Sequence, residues 1–149
     1  MSARRRFLAS LAGLAALALP WRAARAQADP FATLLLQTTG GAPVRAGRVT
    51  IDTPPLADNG HSVPMRLVVD SPMTAADHVR SITLLSEKNP RPVIATFRLG
   101  ARAGRAEVFT RVRLTGTQRL LAVAQLADGS WWSGGTEVIV TESACLDES

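Results

Sequence analysis

The 149-residue chain contains a single cysteine, Cys145, with only four residues after it. An odd cysteine can serve as a nucleophile, as a metal ligand or as half of an intermolecular disulfide. A free cysteine is also commonly a small buried apolar residue. Chain ends are poorly ordered unless they are tied down, and most neighbours of Cys145 are polar. We therefore predict a functional, accessible thiol at Cys145.

Other residues that could do chemistry are sparse. The only histidines, His61 and His78, are distant from each other and from Cys145 in sequence, whereas a metal site needs three or four ligands. The sequence has no phosphate loop, dinucleotide fingerprint or nucleophile elbow. Trp131 and Trp132 could stack on a ligand, but such residues more commonly contribute packing area. We therefore predict no metal, no other cofactor and no catalytic centre.

The charges argue against an anionic partner. Four arginines that could hold an anion alternate with apolar residues, which favours a solvent-exposed strand face. They are Arg98, Arg105, Arg111 and Arg113. Five of the 17 basic residues and none of the 12 acidic residues fall within residues 1–26, so the rest of the chain is neutral by this count. We expect no nucleic-acid partner.

Residues 1–26 have the pattern of an export signal. The segment from Arg4 to Leu8 is basic at its start, a run of Leu and Ala follows as far as Leu19, and Ala24-Arg25-Ala26 has the small residues of a cleavage site. The apolar run is shorter than the ~20 residues that a bilayer requires. The Arg-Arg-x-Phe-Leu order is similar to a twin-arginine signal. It predicts export of the folded protein by the twin-arginine machinery, a periplasmic location and no stable membrane insertion after cleavage.

Residues 27–141 are predicted to form an all-β domain. Short runs of alternating or continuous apolar residues, separated by turn residues, are typical of a two-sheet β-sandwich. The predicted strands are Val49–Ile51, Val63–Val69, Ile82–Leu85, Ile94–Leu99, Ala106–Leu114, Leu120–Leu126, and Trp131–Trp132 followed by Val138–Thr141.

One short helix is predicted before these strands. Asp29-Pro30 is a suitable start, because Asp is a good N-cap and Pro suits the first helical position. Phe31, Leu34 and Leu35 would share one face, and Gly40-Gly41 would end the helix. The alternative is a mixed fold with a further helix near residues 75–79.

Three segments of the chain resemble the SoxY family of sulfur-oxidation carriers. They are Asn59-Gly60-His61-Ser62-Val63-Pro64, Asp70-Ser71-Pro72-Met73 and Glu87-Lys88-Asn89-Pro90, and the resemblance runs from about Phe31 to Thr141. It implies an immunoglobulin-like sandwich that forms a heterodimer with a SoxZ-like protein. It also implies a flexible C-terminal arm, residues 142–149, whose cysteine holds sulfur intermediates covalently and presents them to periplasmic sulfur-oxidising enzymes. Cys145 matches that carrier position.

The arm departs from the Gly-Gly-Cys-Gly-Gly arm usual in the family. The residues around the cysteine are Ser143, Ala144, Leu146, Asp147 and Glu148. They are closer to a SoxY-related group whose arm has the sequence Ala-Ala-Cys-Ile-Glu. Ala144 and Leu146 bend less freely than glycine does, and the acidic side chains of the arm disfavour a thiolate. We expect a thiol that reacts slowly alone and is activated inside a partner enzyme.

Two alternatives to a carrier remain open. The first is a binding or assembly module of a Sox-like system that has kept the fold without the carrier chemistry. The second is a thiol–disulfide donor, which the absence of a second cysteine disfavours. The cargo is also open between thiosulfate, sulfane sulfur and another thiol-reactive group, and the partner between a SoxZ-like chain and a second copy.

Overall fold

Nine strands, one short α-helix and one 3₁₀ helix (Ala101–Ala103) make up the part of the chain that the computed structural model describes, residues 28–142. The elements are α1 (Ala32–Thr39), β1 (Val44–Ala46), β2 (Val49–Asp52), β3 (Leu56–Asn59), β4 (Val63–Val69), β5 (Val79–Ser86), β6 (Val93–Arg98), β7 (Glu107–Val112), β8 (Gln118–Leu126) and β9 (Trp131–Glu142). The predicted all-β fold with an N-terminal helix is confirmed. The alternative helix near residues 75–79 is wrong, since residues 75–77 form a bend and β5 begins at Val79. Within the described range, no helix has the length and apolarity to cross a membrane.

The strands form two sheets. The larger sheet has the order β1-β9-β8-β5-β6, and the smaller has the order β2-β4-β7. The short strands β1 and β3 both pair in parallel with β9, the first along its beginning and the second along its end. β9 is therefore the strand that links most of the larger sheet.

The main core lies between the two sheets. On β4, Val63, Met65, Leu67 and Val69 are all buried, as their alternation predicts. A second, smaller cluster lies on the outer face of the larger sheet, where α1 packs. Its members are Phe31, Leu34 and Leu35 from the helix region and Val44, Leu85, Leu121, Val123 and Trp131 from the sheet. The predicted apolar face of the helix is thus confirmed.

The helix begins later than the sequence pattern suggested. Asp29 does not cap it, because the N-cap residue is Phe31. Instead, Asp29 Oδ1 accepts a hydrogen bond from the Phe31 amide at 3.1 Å, which forms a turn leading into the helix. Gly40 ends the helix in the left-handed conformation, with φ of 66°, as expected for a glycine C-cap.

The last strand is longer than predicted. β9 runs without a break from Trp131 to Glu142, whereas the sequence predicted two separate runs, Trp131–Trp132 and Val138–Thr141. A side chain at Gly134 would place its Cβ 1.9 Å from the Val49 carbonyl oxygen. Gly134 is therefore required because the two sheets approach backbone to backbone at this point.

The second and third segments that carry the family resemblance fix loops of the sandwich. Met73 is buried with φ of 52°, and Ser71 Oγ accepts its amide hydrogen bond at 3.1 Å. Asn89 Oδ1 accepts a hydrogen bond from Gln118 Nε2 at 2.9 Å, and Asn89 Nδ2 donates to the Arg113 carbonyl at 2.8 Å. Side chains of these types fix loops whose backbone groups would otherwise be unpaired.

Candidate functional site

The structure describes the point where the predicted carrier arm leaves the domain. Cys145 and its neighbours in residues 143–149 lie outside the described residues, as do the predicted signal residues 1–26. The last described residue is Glu142, at the end of β9. We call the residues that hold this end of the strand the arm root. They are Asp58, Asn59, Gly60, Thr117, Thr141 and Glu142.

The arm root is fixed on both sides by hydrogen bonds. On one side, the Gly60 amide donates to the Glu142 carbonyl at 2.9 Å, and Thr141 Oγ1 donates to the Asp58 carbonyl at 2.8 Å. On the other side, β8 pairs with β9 only up to Val138, and Thr117 Oγ1 then accepts the Val140 amide at 2.9 Å. The described end of β9 is thus held in a defined position.

The turn between β3 and β4 contacts the arm root and is itself held by hydrogen bonds. Asn59 Oδ1 accepts a hydrogen bond from the His61 amide at 2.7 Å, and the Gly60 carbonyl accepts one from Leu114 at 2.8 Å. Arg111 Nε donates to Ser62 Oγ at 2.7 Å. The first resembling segment, which begins at Asn59, is thus the one that contacts the end of β9.

An exposed apolar pair lies beside the arm root. Leu56 on β3 and Ile139 on β9 are neighbours in register, and they are 52% and 51% exposed. Ile139 is three residues before Glu142. This apolar pair of Leu56 and Ile139 offers a contact surface next to the origin of the arm.

Charged groups at the arm root are few. Asp58 and Glu142 are exposed acids, and His61 is exposed in the turn. His78 is used elsewhere, with Nδ1 3.0 Å from the Thr74 carbonyl oxygen in the loop before β5. In residues 28–142 there is no group of three or more His, Cys, Asp or Glu side chains that could hold a metal ion.

Trp131 and Trp132 take packing positions. Trp131 packs in the cluster under α1. Trp132 packs against the main core, and the guanidinium groups of Arg45 and Arg48 lie 5.6 and 5.4 Å from its ring centre. These contacts favour the packing interpretation over a stacking platform for a ligand.

The four predicted arginines, Arg98, Arg105, Arg111 and Arg113, are all exposed. They do not form one face, because Arg98 lies on β6 of the larger sheet and Arg111 on β7 of the smaller sheet. Phe109, which the sequence prediction does not single out, is 74% exposed on the same side of β7 as Arg111. The alternation that turns Val108 and Val112 inward also turns Phe109 outward, and this signal could have found it.

Comparison with known proteins identifies the family. A family model described as sulfur oxidation protein SoxY matches residues 36–145. The chain belongs to the SoxY family. The match covers most of the chain, and its last residue is Cys145. The family resemblance of the three loop segments is thereby confirmed.

Solved structures agree with this assignment. The chain is similar to the sulfur carrier protein SoxY from Chlorobium limicola f thiosulfatophilum, with 25% identity, a TM-score of 0.61 and coverage of 72% of this chain and 89% of that chain. Superoxide reductases share the fold alone. The neelaredoxin from Ignicoccus hospitalis has 19% identity, covers 63% and 80% of the two chains and gives a TM-score of 0.56. The enzyme from Nanoarchaeum equitans has 14% identity, covers 64% and 100% and gives 0.55. A comparison with curated protein sequences gives no match.

Membership of the SoxY family supports a sulfur-carrier role and not an enzymatic one. Hydrogen bonds on both sides of β9 hold Glu142, the last described residue before Cys145.

Proposed function

We propose that this protein is a periplasmic carrier that holds sulfur intermediates covalently on Cys145 and presents them to partner enzymes of a sulfur-oxidation system of the thiosulfate type. The observation that carries the proposal is the SoxY family match, which extends through Cys145. The arm root supports it, since it fixes the strand only three residues before that cysteine.

The length of the arm suits delivery into an enzyme pocket. Three residues separate Cys145 from Glu142, so the two α-carbons are at most about 10–11 Å apart. A fixed root and a short arm confine the thiol to a small volume near the end of β9. The enzyme must therefore bring its pocket close to the arm root. The exposed pair of Leu56 and Ile139 offers a surface on which an enzyme can dock there.

Charge near the arm explains how the thiol is kept unreactive outside an enzyme. Asp58 and Glu142 are exposed at the arm root, and Asp147 and Glu148 follow the cysteine in sequence. Negative charges disfavour a thiolate and repel anionic sulfur compounds, within the limits that salt screening sets. A loading enzyme would supply positive charge and a base. The thiol is then reactive only where the cargo is meant to be attached.

The pattern of residues 1–26 supports export of the protein before it functions. The proposed location is the periplasm, reached through the twin-arginine machinery as a folded complex with a SoxZ-like partner. Replacing Arg4 and Arg5 together by Lys should leave unprocessed protein in the cytoplasm, because the receptor reads the arginine pair. Arg6→Lys is the matched control and should be exported normally. Normal export of the double variant would contradict this route.

The carrier role is tested by Cys145→Ser in the native host, with Ser143→Ala as a control in the same arm. We expect Cys145→Ser to abolish sulfur-compound oxidation while protein level and partner binding stay unchanged, because serine cannot form the sulfur–sulfur bond. Ser143→Ala should keep most of the activity. Normal oxidation by Cys145→Ser would reject the carrier role and favour an assembly module.

A further inference from the structure

A polar cleft lies beside α1 on the outer face of the larger sheet. Its volume is about 460 Å³, which falls within the range of small-molecule sites. Gln37 and Thr38, near the end of α1, form one wall, and strands of the sheet form the floor. Among residues 28–142, no acidic side chain lines the cleft. The lining therefore favours an anionic or neutral ligand over a cation.

The floor of the cleft is built by strand register. Ser81 on β5 pairs with Arg98 on β6 on one side and with Gln125 on β8 on the other. Gln125 pairs in turn with Trp131 on β9. These four residues form one row across four adjacent strands, and all of them line the cleft. Because residues in register face the same side of a sheet, the row brings a guanidinium, a hydroxyl and an amide together.

A second row adds a pair of hydroxyl groups to the floor. Thr83 and Thr96 pair in register, line the cleft and have their Oγ1 atoms 3.2 Å apart. Thr83 is only 5% exposed, so packing holds its hydroxyl in place. Two hydroxyl groups that share one hydrogen bond keep one unused proton and several lone pairs. This threonine pair can therefore donate a hydrogen bond to a ligand and accept others from it.

Arg98 supplies the only charge in the lining of the cleft. Within the described range, no carboxylate lies within ion-pair distance of its guanidinium. A guanidinium can donate two parallel hydrogen bonds to a carboxylate, and such charge-assisted bonds are stronger than neutral ones. The cleft thus combines one point that attracts an anion with a surface of neutral hydrogen-bonding groups.

The cleft is remote from the arm root. Trp131, which lines the cleft, and Glu142, at the arm root, are the first and last residues of β9. At 3.3 Å per residue, about 35 Å of strand separates them. The α-carbon of Cys145 is at most about 10–11 Å from that of Glu142, so the thiol does not reach the cleft. A ligand bound there is therefore not the cargo of Cys145.

We propose that this cleft binds a hydroxylated organic acid of the size of a sugar acid. The carboxylate of the ligand lies on Arg98, and its hydroxyl groups lie on Ser81, Gln125 and the threonine pair. One carboxylate matches the single unpaired cation, and several hydroxyl groups match the neutral donors and acceptors. The volume of about 460 Å³ is larger than an inorganic oxyanion fills. The proposal goes beyond the carrier function and does not depend on it.

The test is an NMR titration of the isotope-labelled processed chain, isolated from its host, with glucuronate at constant ionic strength. The amide signals of Ser81 and Gln125 should shift saturably. Arg98→Gln should weaken binding by at least about tenfold, because the charge-assisted hydrogen bonds are lost. Arg113→Gln is the matched control, since this arginine is also exposed, has no ion pair within the described range and lies outside the cleft. Binding by this variant should stay within about twofold of wild type.

Two further ligands separate the contributions of charge and hydroxyl groups. Glucose has the hydroxyl groups without the carboxylate, and sulfate has the charge without the hydroxyl groups. Each should bind at least about tenfold more weakly than glucuronate. Equal binding of sulfate and glucuronate would overturn the assignment of a hydroxylated ligand.

Two other results would overturn the proposal as a whole. One is the absence of saturable shifts with glucuronate at millimolar concentrations, and the other is equal binding by wild type and Arg98→Gln. Sulfur adducts on Cys145 of Arg98→Gln, measured in parallel, should equal those of wild type. The carrier function therefore stands or fails separately from the cleft, and loss of the adducts in this variant would contradict their independence.

Discussion

The two ends of β9 serve different purposes although each has a short parallel neighbour. At its beginning, Trp132 packs under two arginines and Gly134 lies against the backbone of Val49, so the strand is locked into the sandwich. At its end, Ile139 is half exposed, and hydrogen bonds more than packing hold Thr141 and Glu142. One strand thus runs from the packed core to the proposed origin of the arm.

The contrast between the two ends of β9 shows how one strand can separate stability from delivery in a carrier. Close packing at the start of β9 stabilises the domain, and it tolerates little change because interiors are densely filled. Hydrogen bonds at the end fix the direction in which the chain leaves, without burying the residues that partners must approach. Changes at the two ends should therefore have different consequences.

The largest effect is expected at the packed end. Gly134→Ala would bring a methyl group to 1.9 Å from the Val49 carbonyl oxygen, so the sheets must separate. We expect a loss of roughly 3 kcal/mol in the free energy of unfolding, measured by urea denaturation. Gly135→Ala is the matched control, because a Cβ at this position would lie 3.1 Å from its nearest neighbour, the Leu120 carbonyl oxygen. This substitution should lower the free energy of unfolding by less than about 1 kcal/mol. Equal losses would show that the close approach of the sheets is not the cause.

A smaller effect is expected at the presenting end. Thr141→Val removes the hydrogen bond to the Asp58 carbonyl and should cost about 1 kcal/mol. Hydrogen exchange of the Gly60 amide, which bonds Glu142, should become faster, because the arm root opens locally. Thr136→Val on the same strand is the control and should leave that amide protected. Unchanged exchange in Thr141→Val would mean that packing, and not this hydrogen bond, holds the arm root.

The smallest effect concerns the turn before β9. Hydrogen bonds donated by the Ser130 hydroxyl and amide lower the pKa of Asp128 from its ordinary value of 3.8. A lowered folded pKa adds stability above the unfolded pKa, and this stability is lost as the pH falls through the folded value. The difference in melting temperature between wild type and Asp128→Asn should therefore be small at pH 7 and shrink below about pH 4. Asn is the replacement of choice because it suits the same turn. A difference in melting temperature that grows in acid would contradict the lowered pKa of Asp128.

The sequence predicted those strands whose pattern is local. Alternation identified β4 and β7 because every second residue faces the core. It missed β1 and β3, which have only three and four residues and gain their stability from pairing with the distant β9. It also left a gap between Trp132 and Val138, where β9 in fact continues, because only the facing sheet explains why glycine is needed at Gly134.

The candidate site was predictable in part. Cys145 stood out by residue type and position, and the SoxY resemblance gave it a role. The contact between Thr141 and Asp58 spans 83 residues of sequence, so no local pattern reveals it. The sequence did not single out Phe109, because an apolar residue in a strand with several apolar neighbours is expected to face the core.

The most direct test of the account is intact-protein mass spectrometry of the processed chain, isolated from the periplasm of cells oxidising reduced sulfur compounds and kept free of reductant. We expect a sulfur-containing adduct that maps to Cys145, disappears on reduction and is absent from Cys145→Ser. An unmodified thiol under every such growth condition would contradict the carrier function while leaving the fold and the family assignment in place.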